Sequence, residues 1–454
     1  MSTPQVAPID VSGLIDASPL RGFHLRIIGL CALLIFFDGF DVQAVSYAAA
    51  SLAIALGVAR SVLGPIFSAG VLGLAIGSLS FGSLGDRYGR KRIFILCGLL
   101  FGMASLATAL AGTLQTLLMS RFVAGLGLGG ATPIALTIST DYSPRRLRSA
   151  LTILMYSAFA IGGIVAGMVV LSPLTRDWRM AFYVGGAVPI LLSVILALAL
   201  PESLGYLVSQ SNSSHQVIQI LKRLCPTIVA DEKSHFVLSA GADQHSVSVL
   251  QLFGPPQATR TALLWLAFFT SLVALYFYLN WVPVLLTDSG LDKRQVLAAT
   301  TAGQIGGLAG AALLARLTLK LPVFCIIAVG YLLGAAAFIG LFFAAGSEYA
   351  VPSNFALGFF LIGSQYGLNA VSPQLYPTTI RFTGIGWAIG VGRAGGAVGP
   401  AIAGILLAAH WRPASLFLFA AIPTSLAALI GYAVSRTVRD SAEPKQFLVK
   451  HAGH

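Results

Sequence analysis

Charge is scarce in these 454 residues. Asp, Glu, Lys and Arg together make up 10% of the chain, against about 25% in soluble domains, and that shortage excludes an ordinary water-soluble protein. Cysteine is scarcer: Cys31, Cys97, Cys225 and Cys325 lie far apart, with no CxxC spacing for zinc or redox work, and read as small packing residues. Histidine is missing from the long apolar runs; His24 and His410 sit at their edges, and His215, His235, His245, His451 and His454 lie in polar segments. Any proton relay in the runs therefore has to use carboxylates. With no His/Cys metal set and no nucleophile beside a His, no enzymatic activity, metal or cofactor is expected.

What replaces charge is apolar surface and glycine. Hydrophobic residues make up 56%, 49 residues are Gly and the mean hydropathy is +0.84, a composition suited to packed helices in lipid. A spanning helix needs about 20 mostly apolar residues, and such runs occur at 25–53, 62–82, 93–112, 115–139, 149–172, 180–200, 261–286, 295–315, 321–344, 352–373, 384–408 and 413–435. The first is too long for a signal-peptide core and no small-residue cleavage site follows it, so it is expected to stay as the first of twelve spans. A polar stretch divides the runs into two nearly equal blocks. The expected organisation is a tail (1–24), a six-helix bundle (25–200), a linker (201–260), a second six-helix bundle (261–435) and a final tail (436–454), as in a transporter built from two repeats.

The formal charge of +12 raises the question of nucleic acid, which the distribution answers. With the N-terminus in the cytoplasm, 20 of the 28 basic residues fall in cytoplasmic segments, six lie on the other side, and Arg121 and Arg393 lie inside spans. The surplus follows the positive-inside rule; it predicts a multi-pass protein of the cell (inner) membrane with both termini cytoplasmic, and no nucleic-acid partner.

Of the 16 acidic residues, only Asp38 and Asp41 sit well inside an apolar run. Charge at that depth costs roughly 2.5–3.5 kcal/mol and marks either function or a structural ion pair. Spaced i, i+3, the two share one helix face. At about 1.5 Å per residue, Asp41 lies roughly 24 Å from the cytoplasmic edge and Arg121, on an opposed helix, about 10 Å below the outer edge, so in a core about 30 Å thick their depths match. Arg393 is near mid-membrane without a charged partner in its own half, and its planar fork suits a carboxylate; the alternative is packing against a carbonyl at a bundle interface.

Tyr276 and Asn280 on the seventh run, Gln304 on the eighth, and Gln365, Tyr366 and Asn369 on the tenth are candidate contacts for a small ring-bearing ligand. Tyr278 and Trp281, near a span end, read instead as interfacial anchors. The glycine run from Gly125 to Gly130 and that from Gly392 to Gly399 lack the strand and turn of a nucleotide site and read as close helix packing. Pro133, Pro173, Pro283, Pro373 and Pro400 fall in or at the ends of spans, where they can bend helices.

The loop Gly82-Ser83-Leu84-Gly85-Asp86-Arg87-Tyr88-Gly89-Arg90-Lys91-Arg92 resembles the signature loop of the major facilitator superfamily, Arg121-Phe122-Val123-Ala124-Gly125-Leu126-Gly127 its fourth-helix motif, and Pro201-Glu202-Ser203 its end-of-half motif. Asp38-Gly39-Phe40-Asp41 is similar to the DGxD motif of the aromatic acid:proton symporter family, as are Tyr376 to Gly384, Gly386-Trp387 and Gly392-Arg393 to that family's tenth-to-eleventh loop and eleventh helix. The resemblance implies an all-α membrane fold of two six-helix bundles related by a pseudo-two-fold axis, importing a small aromatic carboxylate with a proton by alternating access. It carries over Asp38 and Asp41 as coupling groups and Asp86, Arg87 and Arg90 as a cytoplasmic gate.

For that gate, Asp86 is expected near the start of span eleven at Thr383-Gly384, and Arg90 beside Asp141. In this scheme Arg121 exchanges partners with the two Asp and Arg393 holds the substrate carboxylate. The loop from Gly310 to Lys320 departs from the pattern, having no Asp-Arg pair and no closing Gly-Arg-Arg, so the second-half latch is expected to be degenerate or absent. A monomer in lipid is expected. The competing readings are an exporter of drugs or metabolites, a facilitator of sugars or other neutral solutes, and a non-transporting sensor.

Overall fold

The computed structural model describes residues 9–19, 21–172, 177–210, 214–224, 234, 236–237, 249–254, 257–317, 322–377 and 380–451. Pro173, Cys225, His235, His245, Lys320 and His454, all placed above, lie outside them, as does much of the 201–260 linker.

Among the described residues, twelve long helices carry the fold: α1 (Gly22–Leu56), α2 (Leu63–Tyr88), α3 (Arg90–Ala109), α4 (Leu114–Asp141), α5 (Arg145–Leu171), α6 (Arg179–Ala199), α7 (Gln257–Asp288), α8 (Lys293–Leu317), α9 (Val323–Ala344), α10 (Ala350–Val371), α11 (Arg381–Ala408) and α12 (Ser415–His451). Among the described residues, nine helices meet the length and apolarity needed to cross a membrane. Large apolar side chains such as Leu72, Ile76, Leu191, Leu198, Leu332, Phe343 and Leu429 point outward, bare of protein. In water such a surface would aggregate; in a bilayer it is the solvent-facing side.

Packing repeats with a period of six helices. α1 lies on α5 as α7 does on α11, α2 on α4 as α8 on α10, α3 on α6 as α9 on α12, and α3 on α4 as α9 on α10. The contacts between halves obey the same relation: α1 meets α7, while α2–α11 and α5–α8 exchange under it. The repeat reaches single residues. A Cβ on Gly73 or Gly77 of α2 would strike the carbonyls of Phe122 or Leu126 in α4, and one on Gly306 or Gly310 of α8 would strike those of Phe355 or Phe359 in α10. At both seams, glycines one turn apart let backbones touch, which is how helices associate where lipid removes the hydrophobic drive.

The halves join at one end and part at the other. At the first, Ser46 Oγ donates to the Asn280 carbonyl (2.6 Å), Ser68 Oγ to that of Ala397 (2.7 Å) and Tyr47 Oη to Thr300 Oγ1 (2.7 Å). Arg60, in the short turn before α2, forms an ion pair with Asp288 at the end of α7, and Gly64 lies against Gly404 and the Pro400 carbonyl. At the other end a Cβ on Gly82 or Gly386 would meet nothing within 4 Å among the described residues, and the Asp86 side chain is 67% exposed. Asp86 therefore does not dock on the Thr383-Gly384 start of α11, contrary to the sequence expectation, because its carboxylate turns to solvent and pairs with Arg90 one turn on.

The interfacial reading of Tyr278 and Trp281 is also corrected. Both are buried, at 3% and 0% exposure. Trp281 Nε1 donates to the Pro400 carbonyl (3.2 Å) and the ring meets Phe67 edge-on at 5.4 Å. Their position near a helix end coincides with the closed junction, so protein rather than headgroup surrounds them. On the face where the parted ends lie, Ile9–Asp10 pairs in parallel with Phe236–Val237 of the linker, the short helix Val11–Ala17 buries Val11 and Ile15, and Ser214–Leu224 buries Val217, Ile220 and Leu221.

Candidate functional site

The charges at depth converge where α1 crosses α4. Arg121 Nη1 donates to Asp41 Oδ1 (2.8 Å), and Nη2 makes a second bond to Oδ2. Both side chains are 5% exposed or less, and the guanidinium lies 5.9 Å from the Phe182 ring centre. Such a fork-to-fork pair with an aromatic neighbour is how a guanidinium and a carboxylate tolerate burial. One turn along α1, Thr132 Oγ1 donates to Asp38 Oδ2 (3.0 Å), while Asp38 Oδ1 has no hydrogen-bond partner among the described residues. The two carboxylates thus share a helix face but differ in state: Asp41 is neutralised by a base and Asp38 is not. Gly39 between them makes the crossing possible, since a Cβ there would collide with the Phe159 carbonyl of α5.

Arg393 of α11 reaches across the interface, and its Nη1 donates to the Leu74 carbonyl of α2 (3.1 Å). The carbonyl-packing alternative is therefore what this conformation displays, using one of the five N–H donors of the fork. Arg393 and Asp38 lie within electrostatic reach of each other and of Tyr156 and Tyr276. Tyr156 of α5 and Tyr366 of α10 face each other at 5.1 Å between ring centres. A carboxylate, a guanidinium and three phenol rings from both halves therefore gather at the centre.

The other polar candidates divide. Asn280 lines a crevice with Asp41, Arg121, Phe67 and Leu74, but its Nδ2 donates to the Tyr276 carbonyl on its own helix (2.7 Å). Gln365 accepts from Tyr331 Oη (3.0 Å) and donates to Asn369 Oδ1 (3.2 Å), so both amides lie in the α9–α10 seam of the second half. Gln304, 4% exposed, stands at the α5–α8 interface beside Gly163 and Gln43. Tyr156, Thr132 and Gln43 are the site residues that the sequence left unmarked: a Tyr, Thr or Gln in a span carries no charge to set it apart from packing.

At the parted end, Arg90 binds Asp86 Oδ1 (3.0 Å), Asp141 Oδ2 (2.8 Å) and Ser203 Oγ (3.1 Å), and Ser203 Oγ also donates to Asp141. Glu202 Oε1 accepts from the Lys91 amide (2.8 Å), capping the start of α3 where the helix dipole favours an anion. Arg87 stacks over Tyr88 instead of joining this network. Burial and the nearby Asp141 and Glu202 carboxylates push the Tyr142 hydroxyl well above its ordinary range, so it stays a donor, to the Glu202 carbonyl at 2.5 Å. The ends of α2, α3 and α4 are thereby tied into one block.

Two six-helix halves meeting around buried charges and open at one end define a secondary transporter by architecture. Comparison with known proteins agrees. The family model of the Major Facilitator Superfamily matches residues 31–379, and the chain belongs to that superfamily. It is 34% identical over 430 residues to the 4-hydroxybenzoate transporter PcaK of Pseudomonas aeruginosa, covering 94% of this chain and 96% of that one. To a gallate transporter of Pseudomonas putida it is 34% identical over 432 residues, with the same coverage. Among solved structures, a D-xylose-proton symporter superposes with a TM-score of 0.72 at 18% identity, over 90% of this chain and 98% of that one, a likeness of fold.

Proposed function

We propose that the protein imports small aromatic carboxylates of the benzoate and hydroxybenzoate type together with a proton, by alternating access between the halves 25–200 and 261–435. The observation that carries the reading is the central group of Asp38, Arg393, Tyr156, Tyr276 and Tyr366, drawn from both halves. Rings of that kind bury an aromatic acid, and a guanidinium at membrane depth answers its carboxylate. Release of Arg393 from the Leu74 carbonyl frees it for the substrate. Asp38, buried with an unpartnered oxygen, carries the proton, and Arg121 answers by moving between Asp41 and Asp38.

The bias of basic residues places both termini in the cytoplasm of a cell (inner) membrane, so the parted end faces inward. In the opposite state Asp86 docks on the start of α11, and Arg90, Asp141 and Arg87 complete that inner gate. The chain works as a monomer, with no nucleic-acid partner.

The test is uptake of radiolabelled 4-hydroxybenzoate into proteoliposomes with an imposed pH gradient. Accumulation follows an inward proton gradient, and Asp38→Asn exchanges substrate but no longer concentrates it. Accumulation indifferent to pH, or full accumulation by Asp38→Asn, would sink the coupling; proton-driven expulsion would make the protein an exporter.

A further inference from the structure

One buried polar group near the centre is left without a structural task. Gln43 of α1 is 2% exposed, and its Oε1 has no hydrogen-bond partner among the described residues. It sits where α1, α5 and α8 meet. A Cβ placed on Gly163 of α5 would lie 2.9 Å from Gln43 Cγ and 3.7 Å from Gln304 Nε2, so the two amides, one from each half, close over the same residue with no side chain. One turn toward the closed end, Tyr47 and Thr300 join by their hydroxyls and seal that side. In the other direction, Asp38 lies five residues away on α1, about 7.5 Å along the helix axis, a distance of the order of one substituted aromatic ring. A buried acceptor is ordinarily paired, and an unpaired one calls for a donor.

We infer that Gln43, with Gln304 across the interface, is the specificity-determining pair for a hydroxyl on the ring of the transported acid. The ligand lies with its carboxylate at Arg393, its ring among Tyr156, Tyr276 and Tyr366, and its hydroxyl donating to the Gln43 amide oxygen, while Gln304 donates back to the hydroxyl oxygen. The bare Gly163 lets both amides come over the same point of α5, where a Cβ would crowd Gln43. This inference rests on the reading of the protein as an aromatic-acid transporter and adds the class of acid it prefers: ring-hydroxylated rather than bare. A site built around a buried acceptor rejects the analogue that cannot satisfy it far better than a greasy pocket rejects an added methylene.

The experiment measures binding of 4-hydroxybenzoate and benzoate to the full chain in nanodiscs, for the wild type, Gln43→Met and Gln43→Glu. Wild type favours the hydroxylated acid about tenfold, the scale of one hydrogen bond. Gln43→Met, of similar length but without the acceptor, brings the ratio close to one by weakening 4-hydroxybenzoate alone, and Gln43→Glu, which keeps acceptor oxygens, retains the preference. If Gln43→Met does not fold, Gln304→Met is read the same way. Equal weakening of both acids by Gln43→Met makes the residue structural and overturns the inference, as does an unchanged ratio or a wild type without preference. A wild type that binds neither acid overturns the transport reading itself.

Discussion

At the residue scale the clearest feature is the unequal treatment of two neighbouring carboxylates. Asp41 is locked to Arg121 by two bonds, whereas Asp38 keeps one oxygen free. Removing one member of a buried pair strands the other charge, which costs about 3 kcal/mol or more. Asp41→Asn and Arg121→Gln are therefore each expected to lower the unfolding temperature in detergent clearly, and the double substitution to lower it by less than the sum, the signature of direct coupling. Asp38→Asn removes no ion pair, so it leaves thermal stability nearly intact while losing concentrative uptake; a large fall in melting temperature would place Asp38 in the scaffold instead. Asp38, Asp41, Arg121 and Arg393 were legible because lipid makes a charge conspicuous. Tyr156 and Thr132 were not, since their roles arise only when α5 and α4 are brought to the centre by contacts distant in sequence.

At the scale of elements, the α2–α4 seam decides which parts move together. Gly125 lies against the Gly70 carbonyl, and Gly129 against that of Leu74, so an added methyl must push backbones apart. Gly125→Ala is expected to destabilise by roughly 1–3 kcal/mol, as overpacking does. Gly340→Ala in α9, where nothing lies within 4 Å, should be neutral or slightly stabilising because Ala favours helix. Paired melting curves of the two variants check this, and equal behaviour would show that the seam is loose. The sequence marked the Gly125 to Gly130 run as packing residues and placed most helix ends within a few residues, because a bilayer imposes long apolar runs; α2 instead runs on past 82 to Tyr88 and α12 past 435 to His451, where the sequence expectation was a tail. It misread Tyr278 and Trp281, since nearness to a helix end says nothing about whether lipid headgroups or the other half of the protein lies beside it.

At the scale of the whole molecule, transport requires the halves to exchange the closed end for the parted one. The Arg60–Asp288 pair spans the closed end, with Arg60 45% exposed and Asp288 11%. A partly exposed pair of this kind contributes at most about 1 kcal/mol, a shift of roughly fivefold in a two-state population. Arg60→Ala is accordingly expected to raise the alkylation rate of a cysteine introduced at Ser61 by up to about fivefold, and an unchanged rate would show that the pair is not part of the latch. The position of Asp86 was beyond sequence for a related reason: a motif names the partner a residue meets in one state and not the state in which the molecule rests. The closed end has a further property. Ser46 and Ser68 hold it through backbone carbonyls and Tyr47 through a hydroxyl, all uncharged contacts. Ionic strength screens exposed charges and leaves such bonds alone, so the Arg60–Asp288 latch weakens in brine or seawater while the hydroxyl seal does not, and this face of the carrier stays shut across salinities that would loosen a closure built from ion pairs.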